Sequence, residues 1–392
     1  MRTPICDQLG IEFPLFAFSH CRDVVAAVSK AGGYGVLGAL AFSPDQLEVE
    51  LSWIDEHGGG KPYGVDFAMP EKFVGKGERF GLEQLQALIP DEHRAFVESL
   101  LAEYGVPAMP EGVSGTMKAA GLGVETEGPG QVDVALGHPI SMLVNALGPP
   151  PAYAIEAAHS HGVLVGALCG SPRHAEKNVE LGVDVLIAQG TEAGGHCGEI
   201  STMVLIPEVV DTVGPDIPVL AAGGIGRGRQ MAAAMALGAQ GAWTGSIWLT
   251  VAEADTAPHV TENLLAAGFT DTVRSRAMTG KPARQLRTRW TEAWEDPANP
   301  SPLPMPLQGV LYAPAAHRFT RARSRALSGQ PVGQIVGLMN EVRPAKDVVY
   351  AIIEEWIETN QRIARQWAPD ASLPLPLPWP LFGALHHSQR ES

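Results

Sequence analysis

Cysteine is scarce: the 392 residues hold four, Cys6, Cys21, Cys169 and Cys197, scattered and without metal-ligand spacing. That excludes a disulfide-stapled scaffold and a structural zinc site, and sets the expectation of a cytoplasmic protein with reduced thiols and no metal. Long apolar runs are missing as well. No stretch of about 18 uncharged apolar residues occurs, so no transmembrane helix is expected. Met1-Arg2-Thr3-Pro4-Ile5-Cys6-Asp7 lacks the apolar core of a signal peptide. Basic residues are in deficit, 28 Lys and Arg against 43 Asp and Glu, for a formal charge of -15. Nucleic acid and anionic membranes need a basic surface, so both are excluded as partners. What remains is an ordinary globular balance, 45% hydrophobic and 18% charged. The length suits one large α/β domain with a smaller one, or two domains.

Short β-branched runs alternate with helical patterns over the first two-thirds of the chain. Strands are expected at Pro14–Phe18, Tyr34–Ala39, Pro62–Phe67, Ile140–Asn145, Val163–Leu168, Val183–Ala188, Ile217–Ala221 and Gly241–Thr244. Helices are expected at Arg22–Ala31, Pro44–His57, Pro151–His161, Arg173–Leu181, Met203–Val213 and Arg229–Leu237. Eight strands alternating with helices imply parallel βαβ units and a (β/α)8 TIM barrel.

Two stretches exceed a simple crossover. From about 71 to 134 lies an insertion on the third βα unit, with a helix over Leu82–Tyr104 and a Gly/Pro-rich loop over Gly105–Gly130 that either covers a site or moves freely. After the eighth strand, 254–332 reads as a mainly helical lid with an Arg-dense run over Arg274–Arg289. The chain returns near Gly333–Met339, and an amphipathic helix over Ala345–Trp367 closes the outer layer. The division is therefore 1–253 with 333–368 as barrel, 254–332 as lid, and 369–392 as a Pro-rich tail.

The chemistry gathers at three strand ends. Val183–Ile187 runs straight into Ala188-Gln189-Gly190-Thr191-Glu192-Ala193-Gly194-Gly195-His196, a Gly-rich turn closed by a histidine. Ala222-Gly223-Gly224 and Gly245-Ser246 follow the next two strands, where barrels often bind phosphate through backbone amides. Gly224-Ile225-Gly226-Arg227-Gly228 fails the dinucleotide spacing. His196 is the candidate for proton transfer at neutral pH. Gln189, which can donate and accept at once, suits the edge of a heterocycle. Asp66 and Asn145 end strands three and four, each either a ligand contact or a strand-end residue. Glu192 is either a base or a cap, and Cys197 a small buried residue rather than a reactive thiol. The arginines near Arg284, Arg287 and Arg289 either attract an anionic tail or form a solvated face. Phe18, Trp243 and Tyr312 are candidates for an apolar pocket wall, with Trp243 better placed as barrel core.

These residues carry a family resemblance. The Gln-Gly-Thr-Glu-Ala-Gly-Gly-His run ending at His196, Ala222-Gly223-Gly224-Ile225-Gly226, Gly238-Ala239-Gln240-Gly241-Ala242 with Gly245-Ser246, and Met278-Thr279-Gly280-Lys281-Pro282-Ala283-Arg284 resemble the nitronate monooxygenases, formerly 2-nitropropane dioxygenases. These belong to a superfamily with FMN-dependent enoyl-acyl-carrier-protein reductases and NADH:quinone reductases. The resemblance implies FMN at the C-terminal face of the barrel. Gly223, Gly224, Gly245 and Ser246 would hold its phosphate. Ala17, Phe18, Asp66, Gln189, Gly194, Gly195 and Ala222 would line the ring and ribityl chain, with catalytic His196 over the flavin. It implies oxidation of alkyl nitronates by oxygen to a carbonyl compound and nitrite. The rival readings are an NAD(P)H-dependent flavin reductase of an enoyl thioester, enone or quinone, and a non-redox barrel for a phosphorylated ligand. The partner would be a small-molecule substrate, with a homodimer as the one macromolecular assembly considered. Two positions depart from the family pattern: Phe16-Ala17-Phe18-Ser19-His20-Cys21 replaces an Ala-Pro-Met type segment, and Asp66 stands where Asn is usual. His20 thereby becomes a weaker second candidate in the site.

Overall fold

The computed structural model describes residues 3–69, 81–110 and 128–367. Among the described residues eleven strands are formed: β1 (Leu15–Ser19), β2 (Tyr34–Gly38), β3 (Tyr63–Phe67), β4 (Met142–Asn145), β5 (Leu164–Cys169), β6 (Val185–Gln189), β7 (Gly195–His196), β8 (Val219–Ala222), β9 (Gly241–Thr244), β10 (Thr272–Ser275) and β11 (Ala283–Leu286). Eight of them close a parallel barrel in the order β1-β2-β3-β4-β5-β6-β8-β9. Closure comes from β9 lying along β1, with Phe16 opposite Trp243. The eight barrel strands coincide with the eight expected from sequence to within one or two residues at their ends.

Alternation along each strand divides the apolar residues into two cores. Phe16, Tyr34, Val36, Met142, Val144, Val185, Ile187, Leu220 and Trp243 fill the barrel interior. Leu15, Ala17, Val65, Phe67, Leu143, Leu186 and Ala221 face outward into the helical layer. Helix Pro4–Leu9 sends Ile5, Cys6 and Leu9 into the interior cluster. The Ile5 amide donates to Gln240 Oε1 at 3.1 Å, just before β9 begins, so this helix plugs the N-terminal face. The opposite face, at the C-terminal strand ends, is left for function. Helix Ala345–Trp367 packs on helices Gly228–Ala236 and Arg22–Lys30.

The insertion differs from its expected outline. The single helix over 82–104 is two, Leu82–Ala87 and Asp91–Glu103. Pro90 cannot donate into a preceding turn and disfavours helix in Ile89, so the chain breaks and restarts with Pro90 as N-cap. The expected loop over 105–130 lies largely outside the described residues, but Gly128–Leu136 is helical and packs on helix Pro44–His57. The tail expected over 369–392 also lies outside them.

The segment after β9 departs further from its reading as mainly helical. It contains helices Pro258–Ala266, Arg289–Glu295 and Leu307–Arg321, but also the antiparallel hairpin β10–β11. This hairpin adds β7 as a third strand, setting Ala283 opposite His196 and Arg284 opposite Gly195. A second hydrophobic core unites this segment with the insertion: Leu85, Val97 and Leu101 pack with Trp290, Trp294, Val310 and Phe319. Polar ties reinforce it. Arg318 donates to Pro107 O at 3.0 Å and pairs with Glu98 at 2.6 Å, and His93 Nε2 lies 3.0 Å from Ser301 O.

Candidate active site

The turn after β6 is fixed by its own carboxylate. Glu192 accepts the Thr202 amide at 3.2 and 3.0 Å and the Thr202 hydroxyl at 2.8 Å. It therefore serves as a cap for helix Thr202–Val213, which satisfies a first-turn amide and sets a negative charge at the helix N-terminus. Of the two roles open to it, the geometry shows the cap, with both oxygens engaged by Thr202. The Thr202 hydroxyl also reaches Gly223 O at 3.0 Å, joining the turns after β6 and β8. Gly223 and Gly224 have φ of +99° and +68°. A Cβ on Gly223 would stand 3.0 Å from both Gly190 O and Thr202 Oγ1, so this position of the turn requires glycine.

His196 stands on β7 at the mouth, half-buried. Its Nε2 lies 3.1 Å from Thr279 Oγ1, and that hydroxyl is tied to Lys281 at 3.2 and 3.3 Å through its carbonyl and amide. Burial, and secondarily the charge of Lys281, hold the imidazole below its usual pKa. Both effects favour the neutral ring, which has one nitrogen engaged and an exposed lysine close by. Thr279 and Lys281 were not singled out from sequence as site residues. Their segment carries part of the family resemblance and the turn signals Gly280 and Pro282, but the cross-strand register that brings it to His196 has no local signature.

The remaining candidates divide. Asp66 and Gln189 are in phase with the inward-facing residues of β3 and β6 and reach the mouth. Asp66 is 4% exposed, and its Oδ1 has no hydrogen-bond partner. Burial pushes its carboxyl up to about 8, against a smaller opposing effect from the Ala146 amide. Phe18 is half-buried and stacks on Trp243, which is interior core. Ala222 also faces the interior, while the Ala17 methyl faces the helical layer, so Ala17 can offer the mouth only its backbone. Ser246 Oγ accepts the Gly333 amide at 2.8 Å, which leaves its proton to donate. The space beside Gly195 is open, and a Cβ on Gly245 would touch only Phe18, at 3.8 Å.

Several residues turn out to be structural. Asn145 accepts the Met69 amide at 2.8 Å and donates to Met69 O and Gly148 O at 2.9 and 3.0 Å. Arg284 donates to Thr191 O at 2.9 Å and Thr272 Oγ1 at 3.1 Å, locking the hairpin to the turn rather than receiving an anion. The Cys197 thiol points at Thr191 O, and burial raises its pKa, as expected of an unreactive cysteine. His20 is exposed, with Nδ1 3.0 Å from Gly38 O. Tyr312 belongs to the second core. Among the described residues no cluster of His, Cys, Asp and Glu could hold a metal, and no helix is long and apolar enough to cross a membrane.

Comparison with known proteins agrees with this geometry. The family model for nitronate monooxygenase matches residues 3–355. A Mycobacterium tuberculosis protein named only as a monooxygenase is 54% identical over 368 residues, covering 92% of this chain and 97% of its own. A Staphylococcus saprophyticus protein named as a nitronate monooxygenase is 29% identical, over 84% of this chain and 92% of its own. Among solved structures, nitroalkane oxidase from Streptomyces ansochromogenes superposes with a TM-score of 0.75 at 26% identity, covering 91% of this chain and 99% of that one. FabK from Thermotoga maritima does so with a TM-score of 0.70 at 28% identity, covering 93% and 99%.

Proposed function

The chain belongs to the nitronate monooxygenase family and is an oxidoreductase of that type, and from this premise we propose that it oxidises an alkyl nitronate with oxygen, using FMN, to a carbonyl compound and nitrite. The observation that carries the reading is the half-buried His196 held by Thr279 at the mouth of the barrel, with Lys281 beside it. A neutral imidazole can hydrogen-bond an anion or manage its proton, and the lysine supplies attraction for negative charge. The site fits FMN on three counts. The glycine turn at Gly223-Gly224 and the free hydroxyl proton of Ser246 suit a phosphate. Open space beside Gly195 and Gly245 leaves room above the strand ends. The partnerless Oδ1 of Asp66, with Gln189, offers polar contacts to a heterocycle. Bound FMN would supply the electron chemistry. The chain's residues would orient the substrate anion at His196 and exclude water with the segment packed over the mouth.

The likeness to FabK favours a second reading, NAD(P)H-dependent reduction of an enoyl thioester, enone or quinone at the same site. An anaerobic absorbance titration of FMN-loaded protein separates the two. Bleaching of the flavin band by propionate 3-nitronate, with NADH and NADPH inert, supports the monooxygenase. Bleaching by the nicotinamide with the nitronate inert overturns it in favour of the reductase. A protein that cannot be loaded with FMN overturns both.

A further inference from the structure

Asp66 presents a problem that the described residues do not solve. Its side chain faces the barrel interior at the last turn of β3, is almost wholly buried, and leaves Oδ1 without a donor or acceptor. A buried polar atom with no partner costs free energy unless something bound completes it. The neighbouring strands show why no described residue does. Gly38, opposite on β2, has no side chain, and a Cβ there would run into the rings of His20 and Phe18. Val144, opposite on β4, is apolar. Among the described residues, the backbone amide of Ala146, beyond β4, is the group that acts on the carboxyl to lower its pKa. His20, the titratable side chain of the adjoining strand end, is turned to Gly38 O. Among the described residues no lysine or arginine compensates a negative charge at Asp66, and burial disfavours its ionisation.

We infer that Asp66 takes part in the complex as a neutral carboxylic acid, donating its proton from the mouth of the barrel to an acceptor on the bound ring system, so that cofactor binding and retention of this proton are linked. The inference rests on the FMN reading above. An amide at this position would make the same contact at every pH, whereas the acid makes it only while protonated. The chain would thus hold its cofactor more weakly in alkaline solution through one side chain, with no movement of the backbone.

The test is the FMN dissociation constant of apoprotein, followed by quenching of flavin fluorescence between pH 6.5 and 9.5, in wild type and Asp66→Asn. Wild-type affinity should fall toward tenfold per pH unit above about 8, relative to an Asp66→Asn variant that lacks this fall. Ionisation of FMN itself is common to both proteins and cancels in the ratio. An independent readout is the infrared difference between wild-type and Asp66→Asn apoprotein at pH 7, which should contain the carbonyl band of a protonated acid. Parallel pH curves for the two proteins, or a carboxylate band at pH 7, would overturn the inference while leaving FMN binding intact. Absence of FMN binding at every pH, in both proteins, would instead overturn the cofactor reading on which it rests.

Discussion

At the scale of single residues, the site contains groups of the same chemistry with opposite roles. Glu192 and Asp66 are both carboxylates at strand ends. Glu192 is saturated by Thr202, and Asp66 is left open. Glu192→Ala should therefore lower stability by about 1–2 kcal/mol, as loss of a helix cap does, measurable as a shift in urea midpoint. An unchanged midpoint would show that the cap is dispensable. Asp66 acts in the opposite sense. Its pKa in the folded protein, about 8, exceeds the ordinary 3.8, so the native state holds a proton that the unfolded chain releases. Its contribution to stability is full below about pH 3.8 and is lost as pH rises toward about 8. The melting temperature of Asp66→Asn apoprotein should therefore gain on wild type between pH 5 and 8. A constant difference would show that the acid ionises normally. For His196→Asn, turnover should fall by about 10²–10⁴-fold, the usual worth of a general acid or base, with FMN still bound. Unaltered turnover would remove His196 from the chemistry. Thr279→Val should shift the pH profile of turnover while Thr279→Ser restores it, because only a hydroxyl can engage Nε2.

At the scale of elements, the parts legible in the sequence are those whose burial is periodic and local. The barrel strands are short β-branched runs bounded by Gly and Pro, and a strand buried on both faces needs no partner to be recognised. The hairpin β10–β11 escaped because Thr272-Val273-Arg274-Ser275 and Ala283-Arg284-Gln285-Leu286 put arginines at strand positions, where charge usually marks solvent. Arg284 is buried because Thr191 and Thr272 accept its protons, a fact fixed across more than 90 residues of chain. The break at Pro90 was legible in principle, since proline restarts a helix more readily than it continues one. Helix Gly228–Ala236 also has a requirement that periodicity does not show. Its Gly228 is crossed so closely by helix Ala345–Trp367 that a Cβ would collide with the backbone of Ile352 and Trp356. Gly228→Ala should therefore separate the C-terminal helix from the barrel and lower the melting temperature, whereas Ala234→Gly in the same helix should cost only about 1 kcal/mol. Equal losses would place the closing contact elsewhere.

At the scale of the whole molecule, two chain segments more than 150 residues apart build one core beside the mouth. Helices Leu82–Ala87 and Asp91–Glu103 of the insertion bury their apolar residues in it. Leu85, Val97 and Leu101 find their partners in Trp290, Trp294 and Phe319. Nothing in either segment alone announces this pairing, because complementarity between distant stretches has no period. Trp290→Ala should remove about 3–5 kcal/mol of packing. Hydrogen exchange should rise together in helices Asp91–Glu103 and Leu307–Arg321 while the barrel strands keep their protection. Exchange rising in one helix without the other would show that the core is not shared.

The attachment of His196 has a consequence for the order in which the protein is made. The eight barrel strands are complete once residue 244 has been synthesised, yet β7 finds its sheet partner only when residues 283 and 284 arrive, and Ser246 its tether only with residue 333. A growing chain therefore passes through a stage at which the framework exists but the histidine lacks the strand that aims it. Assembly and completion of the site are separated in time, and a polypeptide cut short between residues 246 and 283 would carry Gly223, Gly224 and Gly245 but lack the strand that pairs with His196.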